Sequence, residues 1–292
     1  MKPKVKKNNE AKHLLTIGKE EKTPQASSDL KDFLDHYVEQ FNNSQFIEND
    51  PISIPHRYST LQDVEITAFW TAMLAWGQRK TIINSANRLF ELMDNAPYDF
   101  IKNHIETDRR RFLDFKHRTF QPTDTLYFLE FLQNFYQQNT SLETAFTKHL
   151  PLLPLHTPNT HPRLQNALIG FHADFFNLPD APHRTRKHIA TPKAKSTCKR
   201  LCMFLRWMVR KDNKGVDFGL WQNINPSELM MPLDVHVDRQ ARKLGLVTRP
   251  QTDWQTVVEL TAALREFDPH DPVKYDFALF GLGVFEKQAF DI

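Results

Sequence analysis

Between residues 184 and 214, eleven Lys and Arg side chains stand against one acid, Asp212. Over the whole chain the balance is nearly even, 38 basic and 35 acidic residues with a formal net charge of +3. A near-neutral body with one concentrated basic segment is the electrostatic footprint expected for binding a phosphate backbone. A solvated helix face has the same composition. The two cysteines, Cys198 and Cys202, lie four residues apart. That count excludes a disulfide framework and a four-cysteine zinc or iron–sulfur site. Thirteen histidines are present, but none forms a His-x-x-x-His or His-Glu-x-x-His pair, so no metal site is expected. The eight glycines form neither a phosphate-binding loop nor a dinucleotide fingerprint. No cofactor is expected.

These side chains must be positioned by helices. Hydrophobic residues make up 40% of the chain and charged residues 25%, as in ordinary globular proteins. Few glycines favour long helices over tight turns, and no alternating strand pattern appears. The fold class is all-α. Residues 1–28 are polar, Lys-rich and aperiodic, which predicts a disordered basic tail and not a secretory signal. No apolar run approaches the ~18 residues of a membrane span, so a cytoplasmic protein without a membrane partner is expected. Leu30, Phe33, Leu34, Tyr37 and Phe41 predict a helix capped by Ser28 or Asp29. Residues 49–55 read as an extended connection. Residues 63–93 read as a long amphipathic helix broken at Gly77. Further helices are expected over 124–136, 142–150 and 164–176, followed by a basic loop.

A helix over 196–211 would carry Lys199, Met203, Arg206 and Arg210 within about 60° of one another, a basic stripe opposite Leu201, Leu205, Met208 and Val209. Asp234 opens a helix over 235–244 that Gly245 closes. The last helices span 254–267 and 272–281. Residues 29–292 are expected to form one two-lobed unit. Lobe one is 61–205; lobe two combines 29–60 with 206–292, and a cleft lies between them.

The stretch Pro232-Leu233-Asp234-Val235-His236-Val237-Asp238-Arg239, followed by Lys243-Leu244-Gly245-Leu246, resembles the signature of the helix-hairpin-helix DNA glycosylases. This superfamily includes endonuclease III and the oxoguanine glycosylases. The resemblance implies that Asp234 is a catalytic carboxylate at a helix N-terminus. It also implies a Lys at the start of an upstream helix, where Lys199 stands, 35 residues before Asp234. That separation is close to the archaeal oxoguanine glycosylase branch, whose Ser-Pro-x-Ala-Lys turn is similar to Thr191-Pro192-Lys193-Ala194-Lys195. Lys195 is therefore a second candidate nucleophile. Ala72-Met73-Leu74-Ala75-Trp76-Gly77-Gln78 looks like the superfamily's early helix, whose Gln fills the gap left by an extruded base. Tyr275-Asp276-Phe277-Ala278-Leu279-Phe280-Gly281 is similar to the branch's base-holding segment.

The resemblance thus implies a base pocket of Gln78, Met203, His236, Asp276 and Phe280. Lys193, Lys195, Arg200, Arg206 and Arg210 are expected to contact the DNA backbone. The implied activity is excision of a damaged base, an oxidised purine on branch resemblance, with Lys199 forming a Schiff base. The partner is damaged duplex DNA, with no obligate protein partner. The chain also resembles an uncharacterised bacterial family of unknown function. Plainer roles compete at each position: Asp234 as a cap, Lys199 as one more surface cation, His236 as a structural histidine. The alternative is a non-catalytic helical nucleic-acid-binding protein on the same scaffold. A third reading is an enzyme acting on RNA or a free nucleoside.

Overall fold

Prolines mark where several of the helices begin. A proline has no N–H to leave unpaired in the first turn, and its φ already suits a helix. Pro97 and Pro122 start α-helices, and Pro51, Pro55, Pro192, Pro226 and Pro272 start 3-10 turns. The structure, a computed structural model, describes residues 24–151 and 163–290. In chain order the α-helices are α1 Pro24–Phe41, α2 Ser44–Glu48, α3 Leu61–Leu74, α4 Arg79–Glu91, α5 Pro97–Asn103, α6 Glu106–Arg109 and α7 Pro122–Gln138. They continue as α8 Thr144–Thr147, α9 Arg163–Phe175, α10 Lys199–Val209, α11 Val235–Lys243, α12 Trp254–Arg265 and α13 Tyr275–Phe290. The described residues contain no strand, only an isolated bridge between His117 and Phe120. The fold is all-α, and no described helix is long and apolar enough to cross a membrane.

Helix α3 is the axis of the core. Every residue from Val64 to Leu74 is buried, the acid Glu65 included. It packs against α4, α5 and α10. Its carboxylate accepts hydrogen bonds from Tyr136 Oη, Ser141 Oγ, the Leu142 N–H and Trp221 Nε1. Glu65 thus ties three distant segments to one helix, and burial holds its pKa above the ordinary carboxylate value. Glu65→Gln turns one oxygen, facing two donors, into a third donor. Urea unfolding is expected to show a loss of about 2 kcal/mol.

A second group of helices forms around α13, which packs on α1 and α11. Two glycines permit this closeness. A Cβ on Gly281 would collide with the Phe41 ring, and one on Gly283 would lie 2.8 Å from His236 Cβ. Helix α10 joins the two groups, packing on α3 and pairing through Arg206 with Asp276 of α13. The expected lobe boundary after residue 205 falls inside α10, which runs unbroken from Lys199 to Val209.

Several expectations need correction. Residues 1–23 of the expected tail lie outside the described residues, but residues 24–28 belong to α1, which starts before the anticipated cap. The connection is extended at Asp50 but not after it: Pro51–Ser53 and Pro55–Arg57 are 3-10 turns. The helix expected over 63–93 does break near Gly77, where φ is +105°. Its first half is not amphipathic, because it is buried all round. The helix over 142–150 shrinks to α8. Helix α10 is shorter than 196–211 because Lys195 and Cys198 take left-handed φ values of 57° and 52° and Arg210 is extended.

Candidate active site

Lys199 is the first residue of α10, and Asp234 is the residue that caps α11. Asp234 Oδ1 accepts the backbone N–H groups of His236 and Val237 at 2.9 and 3.0 Å. These are two of the donors a helix start leaves unpaired. The cap fixes the carboxylate and leaves Oδ2 turned to Lys199 Nζ, 4.0 Å away. Two residues far apart in sequence are thereby brought face to face by two helix starts. Both remain partly open to solvent, with side-chain exposures of 26% and 19%.

Both residues line a cleft of about 740 Å³, within the ~300–1,000 Å³ range of small-molecule sites. Its walls combine aromatic rings, Phe46, Trp76, Trp207, Phe277 and Phe280, with charged side chains, and Met203 lies among them. Trp76 is held from two sides. The Arg200 guanidinium lies 4.9 Å from its ring, and His188 stacks on it at 5.6 Å. Arg79 lies 5.0 Å from the Phe280 ring, a cation–π contact at the cleft wall.

Of the residues expected in a pocket, Met203, His236, Asp276 and Phe280 line the cleft. His236 sits edge-on to Phe280 at 6.2 Å, and its Nδ1 is buried without a hydrogen-bond partner. Gln78 does not line the cleft. It is exposed, between the lining residues Gly77 and Arg79, because the chain turns outward there to start α4. Lys195 does not line it either. It is exposed at the end of the Pro192–Ala194 turn, as is Lys193 within that turn.

The basic stripe of α10 is not a solvated face. Arg206 and Arg210 are 3% and 2% exposed, so neither is free to meet a DNA backbone. Arg206 pairs with Asp217 and Asp276, and Arg210 with Asp212, Asp217 and Asp271. Burial pulls both guanidinium pKa values down, and these carboxylates more than offset it, so both end above the ordinary value. Periodicity placed the two arginines on one face correctly; the acids that cover that face come from residues 212–217 and 271–276. Arg200 is engaged as well, donating to the Met73 and Lys187 carbonyls.

Asp276 is 6% exposed. Burial pushes its pKa up to about 6 against the pull of Arg206, with Asp234 adding to the rise. Its folded value exceeds the ordinary 3.8, so its contribution to stability is full below that value and is lost as pH rises through about 6. Asp276→Asn is expected to flatten the pH dependence of the unfolding free energy between about pH 4 and 7. Urea midpoints measured across that window check it, and an unchanged slope would contradict it.

Asp50 and Arg79 line the cleft without having been singled out in the sequence. Asp50 precedes a proline and reads as part of an extended connection, and nothing local says which way it faces. The cysteines are not candidate nucleophiles: burial pushes the Cys198 thiol up to about 12 and Cys202 well above its ordinary value. Among the described residues, no group of three or more His, Cys, Asp or Glu side chains could hold a metal ion.

Neither a curated protein nor a solved structure matches the chain. One family model does, described as "Protein of unknown function (DUF2400)", over residues 50–285. That range holds every cleft-lining residue except Phe46. The match spans most of the sequence, and the chain belongs to this family.

Proposed function

We propose that this protein removes a damaged base from DNA and opens the strand at the vacated sugar, as an N-glycosylase with lyase activity. The observation that carries this reading is the 4.0 Å approach of Lys199 Nζ to Asp234 Oδ2 on the wall of a large cleft that aromatic rings help to line. An extruded base needs stacking surfaces, and Trp76, Phe280 and Met203 offer them. The similarity of residues 232–246 to helix-hairpin-helix glycosylases supports the same chemistry, and the archaeal branch suggests an oxidised purine as substrate.

The unprotonated Lys199 amine attacks C1′ of the extruded nucleotide. The bond from C1′ to the base breaks, and its electron pair leaves with the base, which takes up a proton. Asp234 Oδ2 stabilises the positive charge that builds on the sugar and accepts the proton released by the amine nitrogen. Opening of the sugar ring turns the adduct into a Schiff base, from which the 3′ phosphate is eliminated. Lys193 and Lys195, exposed beside the start of α10, hold backbone phosphates.

Borohydride trapping tests this on duplex oligonucleotides carrying single oxidised bases or an abasic site. A covalent protein–DNA adduct is the expected result. Measurable DNA affinity without an adduct on any substrate, the abasic site included, would leave a non-catalytic binding protein.

A further inference from the structure

Three charged side chains on the cleft wall are more than nine-tenths buried: Asp50, Arg206 and Asp276 at 8%, 3% and 6% exposure. Each is only partly used by the fold. Asp50 Oδ1 accepts the Ile52 N–H at 3.1 Å, and among the described residues no hydrogen bond takes Oδ2. Arg206 spends Nε on Asp217 and Nη1 on Asp276 Oδ2, and among the described residues no hydrogen bond takes Nη2 or Asp276 Oδ1. A cap alone does not call for a carboxylate at Asp50. Asn or Ser would supply the one oxygen without the cost of burying a charge. Arg206 interacts electrostatically with Asp50 as well as Asp276, and Asp50 also with Arg79 and Lys199, so the three buried groups form one charged cluster on a cleft wall that carries aromatic rings beside it.

We propose that Asp50 is a specificity residue of this cleft, accepting a second N–H donor from the base while Asp276 accepts the first and Arg206 donates to a carbonyl. This rests on the base-excision reading above and names what the site would read. Two unused acceptors and one donor select a base edge with two N–H donors beside a carbonyl oxygen. Guanine-type purines carry that edge, with an amide N–H, an exocyclic amine and O6. On the Watson–Crick edge, the one a flipped base is read by, adenine-type bases lack the carbonyl and hypoxanthine-type bases lack the amine. A base missing the second donor leaves Asp50 Oδ2 desolvated and unpaired, which is the arrangement that rejects an analogue most strongly.

The test uses the full chain and three duplexes. Two carry 8-oxoguanine or 8-oxohypoxanthine, which differ only in the 2-amino group; the third carries an abasic site. Single-turnover excision by the unaltered protein is expected to favour 8-oxoguanine by at least about tenfold. Asp50→Asn keeps the capping oxygen and replaces the free acceptor with a donor, and is expected to bring the ratio close to one. Reading a ratio within one variant cancels any general loss of activity. Should Asp50→Asn fail to fold, Asp50→Ser keeps the cap and withdraws the second oxygen, with the same expectation. A ratio near one in the unaltered protein, or an undiminished ratio in the variants, overturns the role of Asp50 while adduct formation at the abasic site leaves the excision chemistry standing. Failure at the abasic site as well removes both.

Discussion

Lys199→Gln is expected to abolish the borohydride-trapped adduct and to slow base excision by at least roughly a thousandfold, the scale seen when a reacting group is removed. The fold should be nearly unaffected. Lys199 Nζ faces Asp234 Oδ2 at 4.0 Å, and both side chains are partly exposed; such pairs contribute ~0–1 kcal/mol. Loss of the adduct with an unchanged melting temperature would therefore report chemistry and not collapse. Asp234→Asn is a matched companion. Asn keeps a side-chain oxygen for the His236 and Val237 N–H groups, so α11 stays capped, but the negative charge beside the amine is lost. An adduct persisting at the original rate in Lys199→Gln would remove Lys199 from the mechanism. Lys195, the other candidate in the sequence, is exposed and lies off the cleft wall.

Arg206→Met should act the opposite way, on the fold first. Its guanidinium pairs with Asp217 and Asp276, both buried. It also lies 4.5 Å from the Phe277 ring. Removing the cation leaves two carboxylates in a low-dielectric interior with a lost partner each, and breaking a buried pair in this way costs ~3–5 kcal/mol. Asp217 keeps Arg210 at 3.1 Å, which limits its share, whereas Asp276 has Arg206 as its ion-pair partner. Urea unfolding at neutral pH measures the loss. Because the released Asp276 carboxyl can then take a proton, the deficit should shrink as pH falls. A change below about 1 kcal/mol, as at an exposed position, would mean that the cluster does not hold α10 to α13.

Several parts of this protein were legible in the sequence. Helix periodicity, scarce glycine and the absence of alternation determined an all-α chain. Asp234 before an amphipathic run, closed by Gly245, determined a capped helix start, because capping is a local interaction between a side chain and the next few backbone amides. The spacing of Lys199, Met203, Arg206 and Arg210 determined that they share a face. Local rules could not say what covers that face. Arg206 and Arg210 read as DNA-backbone contacts because their acids come from residues 212–217 and 271–276, which nothing local connects to α10. Asp50 was unreadable for the same reason: a carboxylate before proline reads as part of an extended connection, and only the packing of the Pro51–Ser53 turn against α3 and α4 makes it part of a cleft wall. Composition and periodicity act over a few residues. The burial of a charge, and the closing of one helix start upon another, are decided by surfaces that meet only once the chain has folded.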